Sequence, residues 1–136
     1  MNDCIFCKIL KNEIPSFTVY EDDDFKAILD IAPATKGHIL IIPKEHSESI
    51  FDLSDEKAMK IFLVAKKITT ALKNVLNVSN FNLIQNNGRI AGQTVNHFHL
   101  HIIPRYSLDE ISLWVPHEND PSVTEDFAKE VKNAIK

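Results

Sequence analysis

The chain has 136 residues, 44% of them hydrophobic and 25% charged, which suits one globular domain over residues 1–136 that buries roughly two thirds of its unfolded surface. A formal charge of −4, with acidic residues scattered among the lysines, gives no basic stripe for a polynucleotide backbone or an anionic bilayer, so no nucleic acid and no membrane are expected as partners. Apolar runs are far shorter than a bilayer span, and the polar start "MNDC" lacks a basic stretch followed by an apolar one, so a cytoplasmic protein is expected.

The cysteines, Cys4 and Cys7, are both in "CIFC", too close together to be a disulfide framework. Such a pair suits either redox chemistry or half of a zinc site. Redox pairs usually follow a strand and open a helix, whereas nothing strand-like precedes Cys4. Zinc needs two more ligands, for which His46 and His97 are the candidates, giving a closed Cys2His2 tetrahedron with a structural role; two buried or free thiols are the plain alternative.

"FTVYEDDDFKAILD", residues 17–30, reads as two short strands around the acidic turn Asp22 to Asp24. After Pro33 and Gly37, "HILIIP" reads as a buried strand closed by Pro43. Ser54 is a plausible N-cap, with Asp55 and Glu56 in the first turn. The apolar positions Ala58, Ile61, Phe62, Ala65, Ile68, Leu72, Val75 and Leu76 then keep helical spacing. Lysines at 57, 60, 66, 67 and 73 read as its solvated face. "NFNLIQ" is a further strand, "NNGRIAGQT" a loop, and residues 95–104 a strand closed by Pro104. A loop with Trp114 and His117 follows, where a packing role is the default for the tryptophan. "SVTE" carries a capping-box pattern at Ser122 and Glu125 ahead of an amphipathic helix with Phe127, Val131 and Ile135. Grouped strands joined by tight turns favour an α+β domain with an antiparallel sheet of about five strands, one long helix and a C-terminal helix.

The strand over 95–104 holds His97, His99 and His101 at alternate positions, which places them on one face with Phe98, Leu100 and Ile102 on the other. A single metal on all three is disfavoured, because the outer two start roughly 13 Å apart along a straight strand. The alternative makes the middle imidazole a nucleophile: largely neutral at pH 7, it attacks phosphorus and forms a phosphoramidate that water later cleaves.

"HFHLHII" resembles the signature of the histidine triad (HIT) family, in which three histidines alternate with apolar residues. The stretches "CIFCKI", "IPSFTVYEDD", "AILDIAPATKGHILIIPKEH" and "NNGRIAGQTVNHFHLHIIPRY" extend the likeness over Cys4 to Tyr106. The resemblance, nearest to the Hint branch, implies a dimeric α+β fold that binds a purine nucleotide and hydrolyses or transfers a nucleoside monophosphate. By the same resemblance His99 is the nucleophile and His101 lies beside the phosphate. Gly92, Gln93 and Thr94 form a phosphate loop, and a frequent serine of the family is replaced by Thr94. Asn86 is a polar contact near phosphate and ribose, Asp30 accepts from ribose hydroxyls, and Ile31 lies beside the base. For Asp30 a strand-end turn role is the bland alternative, and for His38, a further pocket histidine, an ordinary strand-start role. The resemblance also agrees with zinc on Cys4, Cys7, His46 and His97. Three activities follow: a hydrolase of nucleoside phosphoramidates or dinucleoside polyphosphates, a zinc-stabilised nucleotide-binding module with little turnover, and a nucleotidyl transferase.

Overall fold

The computed structural model describes residues 3–136. A short helix, α1 (Ile5–Leu10), opens the described chain, with the Cys4 sulfur accepting the Cys7 backbone N–H at 3.3 Å. Six residues are too few to hold a helix by backbone bonds alone. Burial of Phe6 and Ile9 against the sheet supplies the rest.

The hairpin expected over 17–30 is β1 (Thr18–Glu21) and β2 (Phe25–Leu29). Its turn is set by Asp22, whose Oδ1 accepts the backbone N–H groups of Asp24 and Phe25 at 2.8 and 2.7 Å. With β3 (Ile39–Pro43), β4 (Phe81–Gln85) and β5 (Leu100–Pro104) these strands form one sheet in the order β1-β2-β3-β5-β4, antiparallel at every pairing. The long helix α2 (Asp55–Leu76) starts at Ser54, whose hydroxyl accepts the Lys57 N–H, and stops at Asn77 in the left-handed conformation.

Strand alternation divides the core into two layers. Phe25, Ala27, Ile39, Ile41, Leu100 and Ile102 pack under Ile61, Val64, Ala65 and Ile68 of α2. Ile28, Leu40 and Ile42 face the opposite way, onto Phe6 and Ile9 of α1. Being covered on both sides is why β3 is an unbroken apolar run. Gly37 brings the chain into β3 at φ +91°, where a Cβ would lie 2.7 Å from Leu76 Cδ1 and 3.1 Å from Pro104 Cγ, so the residue beside His38 has to be glycine.

Three expectations are corrected. The strand expected over 95–104 pairs regularly only as β5, because the Phe98 N–H bonds to the Ser47 carbonyl at 2.7 Å and the His97 carbonyl is taken by a side chain. The C-terminal helix, α3 (Glu125–Ala134), is capped by Thr124, which accepts from Phe127 N–H; Ser122 instead bonds to Asp120. Trp114 is 75% exposed, so it does not pack into this chain's core. Among the described residues no helix is long and apolar enough to cross a membrane.

Candidate active site and metal centre

His97, His99 and His101 reach the same side of the sheet despite the shortened strand. The Phe6 ring meets that of His99 at 5.0 Å and that of His97 at 5.9 Å, edge to face in both cases, and the His101 ring neighbours that of His99 at 4.9 Å. Their apolar neighbours Phe98, Leu100 and Ile102 turn into the α2 layer, as the alternation requires. The three imidazoles nevertheless enter three different environments.

His97 is fully buried, and its Nε2 donates to the Pro43 carbonyl at 2.8 Å. A neutral imidazole has one proton, so Nδ1 presents a lone pair. That nitrogen lies 3.4 Å from Cys4 Sγ, 3.6 Å from Cys7 Sγ and 3.0 Å from His46 Nδ1, and His46 Nδ1 is 3.3 Å from Cys7 Sγ. Four protein ligands at zinc's usual distances span tetrahedral edges of about 3.4 to 3.8 Å, so the cluster fits an ion of that size with slight expansion. The carbonyl on Nε2 is the kind of outer contact that fixes a ligand's tautomer. Burial, then the adjoining Cys4 sulfur, pushes the Cys7 thiol above its usual range, and burial holds His97 down at about 4. Both shifts favour the neutral ligand forms until a cation displaces the thiol protons. Cys4, Cys7, His46 and His97 can therefore hold a metal ion, with no protein position left open. The C-x-x-C does open a helix, as redox pairs do; the two histidines at contact distance distinguish it from one.

His99 is 5% exposed, and its Nδ1 donates to the His97 carbonyl at 2.8 Å. The carbonyl can only accept, so the proton is on Nδ1 and the lone pair on Nε2. Burial lowers the pKa of His99, leaving the ring neutral at pH 7. His101, on β5 opposite Leu40, is held at about 4 by burial and then by the neighbouring His99. Its Nδ1 is 2.9 Å from His38 Nε2. His38 is buried, and its Nδ1 accepts the Ala34 backbone N–H at 2.9 Å.

Asp30 takes the strand-end turn role, and its carboxylate also faces His38. One carboxylate oxygen accepts the Ala32 N–H at 2.9 Å in a local turn, while the other is 3.5 Å from His38 Nε2. Ile31 stands beside it, largely exposed. In the glycine loop, most of the groups expected to receive phosphate are bonded within the protein. The Gly92 amide donates to Arg89 and the Gln93 amide to Gly88, and the Gln93 side chain is consumed by Gly88 N–H and the carbonyls of Glu48 and Val95. Gln93 is thus a brace, and the Thr94 amide and hydroxyl are the groups left without an acceptor or donor among the described residues. The Asn86 side chain lies over Gly92, within 3.6 Å of where a Cβ would stand, and is equally free. Pro43, Ala34 and the His97 carbonyl shape the site through backbone atoms that carry no signal in sequence. Phe6, wedged against two of the histidines, had one: an aromatic residue between the two cysteines.

Residues 11–108 match the HIT domain. The adenosine 5'-monophosphoramidase hnt1 of Schizosaccharomyces pombe is 43% identical over 136 residues, 98% of each chain. The crystal structure of a HIT family protein from Bacillus anthracis agrees with a TM-score of 0.89 at 46% identity, over 99% of both chains. A Zn-bound histidine triad family protein from Mycobacterium smegmatis agrees at 0.77 and 33%, over 98% of this chain and 99% of that one. Three alternating histidines, one in a cluster that can hold a metal ion and the other two with neighbouring rings, are thus found in a chain that is a member of the HIT family.

Proposed function

We propose that the protein hydrolyses purine nucleotide conjugates of the adenosine 5'-phosphoramidate type at the α-phosphorus, through a nucleotidyl-His99 intermediate. The observation that carries this reading is the hydrogen bond from His99 Nδ1 to the His97 carbonyl, which leaves a neutral, buried ring with its lone pair on Nε2. In the first step a bond forms from Nε2 to phosphorus as the phosphorus–nitrogen bond to the amine breaks, and the departing nitrogen takes a proton from solvent. Water then attacks the same phosphorus, its proton goes to solvent, and the Nε2–phosphorus bond breaks to release the nucleotide and restore neutral His99. Thr94 and Asn86 hold phosphate oxygens, His101 lies beside the phosphate, Asp30 accepts from the ribose hydroxyls and Ile31 flanks the base. The phosphoramidase activity carried by the name of the fission-yeast relative supports the amine as leaving group.

Zinc on Cys4, Cys7, His46 and His97 supplies structure alone, because four protein ligands leave it no position for substrate. The working form is a homodimer of the 136-residue unit. Turnover of adenosine 5'-phosphoramidate by the purified protein tests the reading, with His99→Ala beside it: activity should fall by about a thousandfold or more. Equal turnover by the variant removes the proposed nucleophile, and no turnover by the wild type removes the activity.

A further inference from the structure

A chain of hydrogen bonds starting at a backbone amide fixes where His101 carries its proton. The Ala34 N–H can only donate, and it reaches His38 Nδ1 at 2.9 Å, so that nitrogen is bare. Burial keeps the His38 ring neutral, and its single proton is therefore on Nε2. From there the choices are His101 Nδ1 at 2.9 Å and Asp30 Oδ2 at 3.5 Å, and the shorter contact has hydrogen-bond length. His101 Nδ1 thus accepts. Its proton is left on Nε2, the ring nitrogen with no protein partner among the described residues.

We propose that His38 is a positioning residue that holds His101 in the tautomer whose free nitrogen donates, so that a bound nucleotide meets a lone pair at His99 and an N–H at His101. The inference deepens the hydrolase reading and takes its catalytic meaning from it, although the tautomer itself stands on geometry alone. The two rings are neighbours, with centroids 4.9 Å apart, yet the backbone sets them to opposite polarity: the His97 carbonyl puts the His99 proton on Nδ1, and the Ala34 amide, acting through His38, puts the His101 proton on Nε2. A His101 ring protonated on Nδ1 would turn a second lone pair toward an anionic phosphate, which repels it. Protonated on Nε2, it donates to a phosphoryl oxygen as charge builds there. The proton stays on His101 throughout. Transfer would leave an imidazolate, since the ring behind it is also neutral.

Side-chain ¹⁵N–¹H correlation spectra of the zinc-loaded protein near neutral pH distinguish the two tautomers of each histidine without reference to activity. The wild type should show His101 protonated on Nε2 and His99 on Nδ1. His38→Gln keeps a donor at similar reach and should leave His101 unchanged, whereas His38→Glu offers only an acceptor and should move the His101 proton to Nδ1. On adenosine 5'-phosphoramidate, His38→Glu should lower kcat by about 100-fold with a much smaller change in KM, and His38→Gln should recover at least about tenfold of that loss. A wild-type His101 protonated on Nδ1, or equal kcat losses in the two variants, overturns the proposal. If His38→Glu does not fold, the wild-type and His38→Gln spectra still decide. A wild type without turnover on any nucleotide sinks the hydrolase reading, while the spectra separately judge the tautomer.

Discussion

Four histidines of the candidate site, His38, His97, His99 and His101, are held toward the neutral form by burial, and this has a consequence for stability as well as for chemistry. His38, His97, His99 and His101 all have pKa values below the ordinary imidazole value, with burial the leading cause each time; for His101 the value is about 4. In the unfolded chain His101 titrates near 6.5. Above that pH neither state binds the proton, and the folded protein has its full stability. As the pH falls from about 6.5 toward 4, the unfolded chain is protonated first and stability is lost. His101 alone should account for about 2 kcal/mol of the loss at pH about 4.5. Denaturant unfolding near pH 7 and pH 4.5 checks this: His101→Asn should lose less stability on acidification than the wild type, and parallel losses would show that His101 is not the group responsible.

At the scale of elements, the site is an assembly of short pieces tied to the chain's most buried strand. Helix α1 and its N-cap bring Cys4 and Cys7, the segment after β3 brings His46, and the lead into β5 brings His97, so the candidate metal cluster ties the start of the described chain to two segments already joined by the Phe98–Ser47 and His97–Pro43 bonds. The His97 backbone passes that constraint directly to His99 through the 2.8 Å bond to its ring. Replacing one ligand in Cys7→Ala should therefore abolish binding of one zinc per chain and cost about 3 kcal/mol or more, roughly 10 °C in thermal midpoint for a domain of this size. Metal analysis beside a melting curve reads both; retention of metal and midpoint would remove the cluster's structural role. Strand alternation and the CIFC spacing made the ligand set legible beforehand, because both are periodic or local patterns of side chains. The early end of the histidine strand was not legible: it follows from Phe98 bonding to Ser47 and His99 to a carbonyl, long-range and backbone choices that no residue type announces. The same holds for the cradle, where Gly92 and Gln93 match the pattern but spend their amides inside the loop. Thr124 displaced Ser122 as the cap because Asp120 captured the serine, a competition between adjacent polar side chains.

At the scale of the whole molecule, the chain leaves apolar surface without cover. Met59, Phe62 and Leu63 project from α2 at 60% exposure or more, Ile50 and Phe51 stand before it, and β4 is a sheet edge. Helix α3 buries none of its residues, although Phe127 and Val131 lie on it. Exposed apolar residues in such number, where they form a patch, mark an association surface. A homodimer should appear in light scattering at twice the 15.5 kDa chain mass, and the double substitution Phe62→Glu with Leu63→Glu should shift it toward monomer. A wild type at the monomer mass across the micromolar range contradicts the dimer. The central chemical claim is tested most directly by rapid quenching of the zinc-loaded protein with an isotopically labelled adenosine phosphoramidate, followed by peptide mass spectrometry. The account predicts an adenylyl adduct on the imidazole of His99, formed and lost within turnover. An adduct on any other side chain, or turnover with no protein adduct at any quench time, would contradict it.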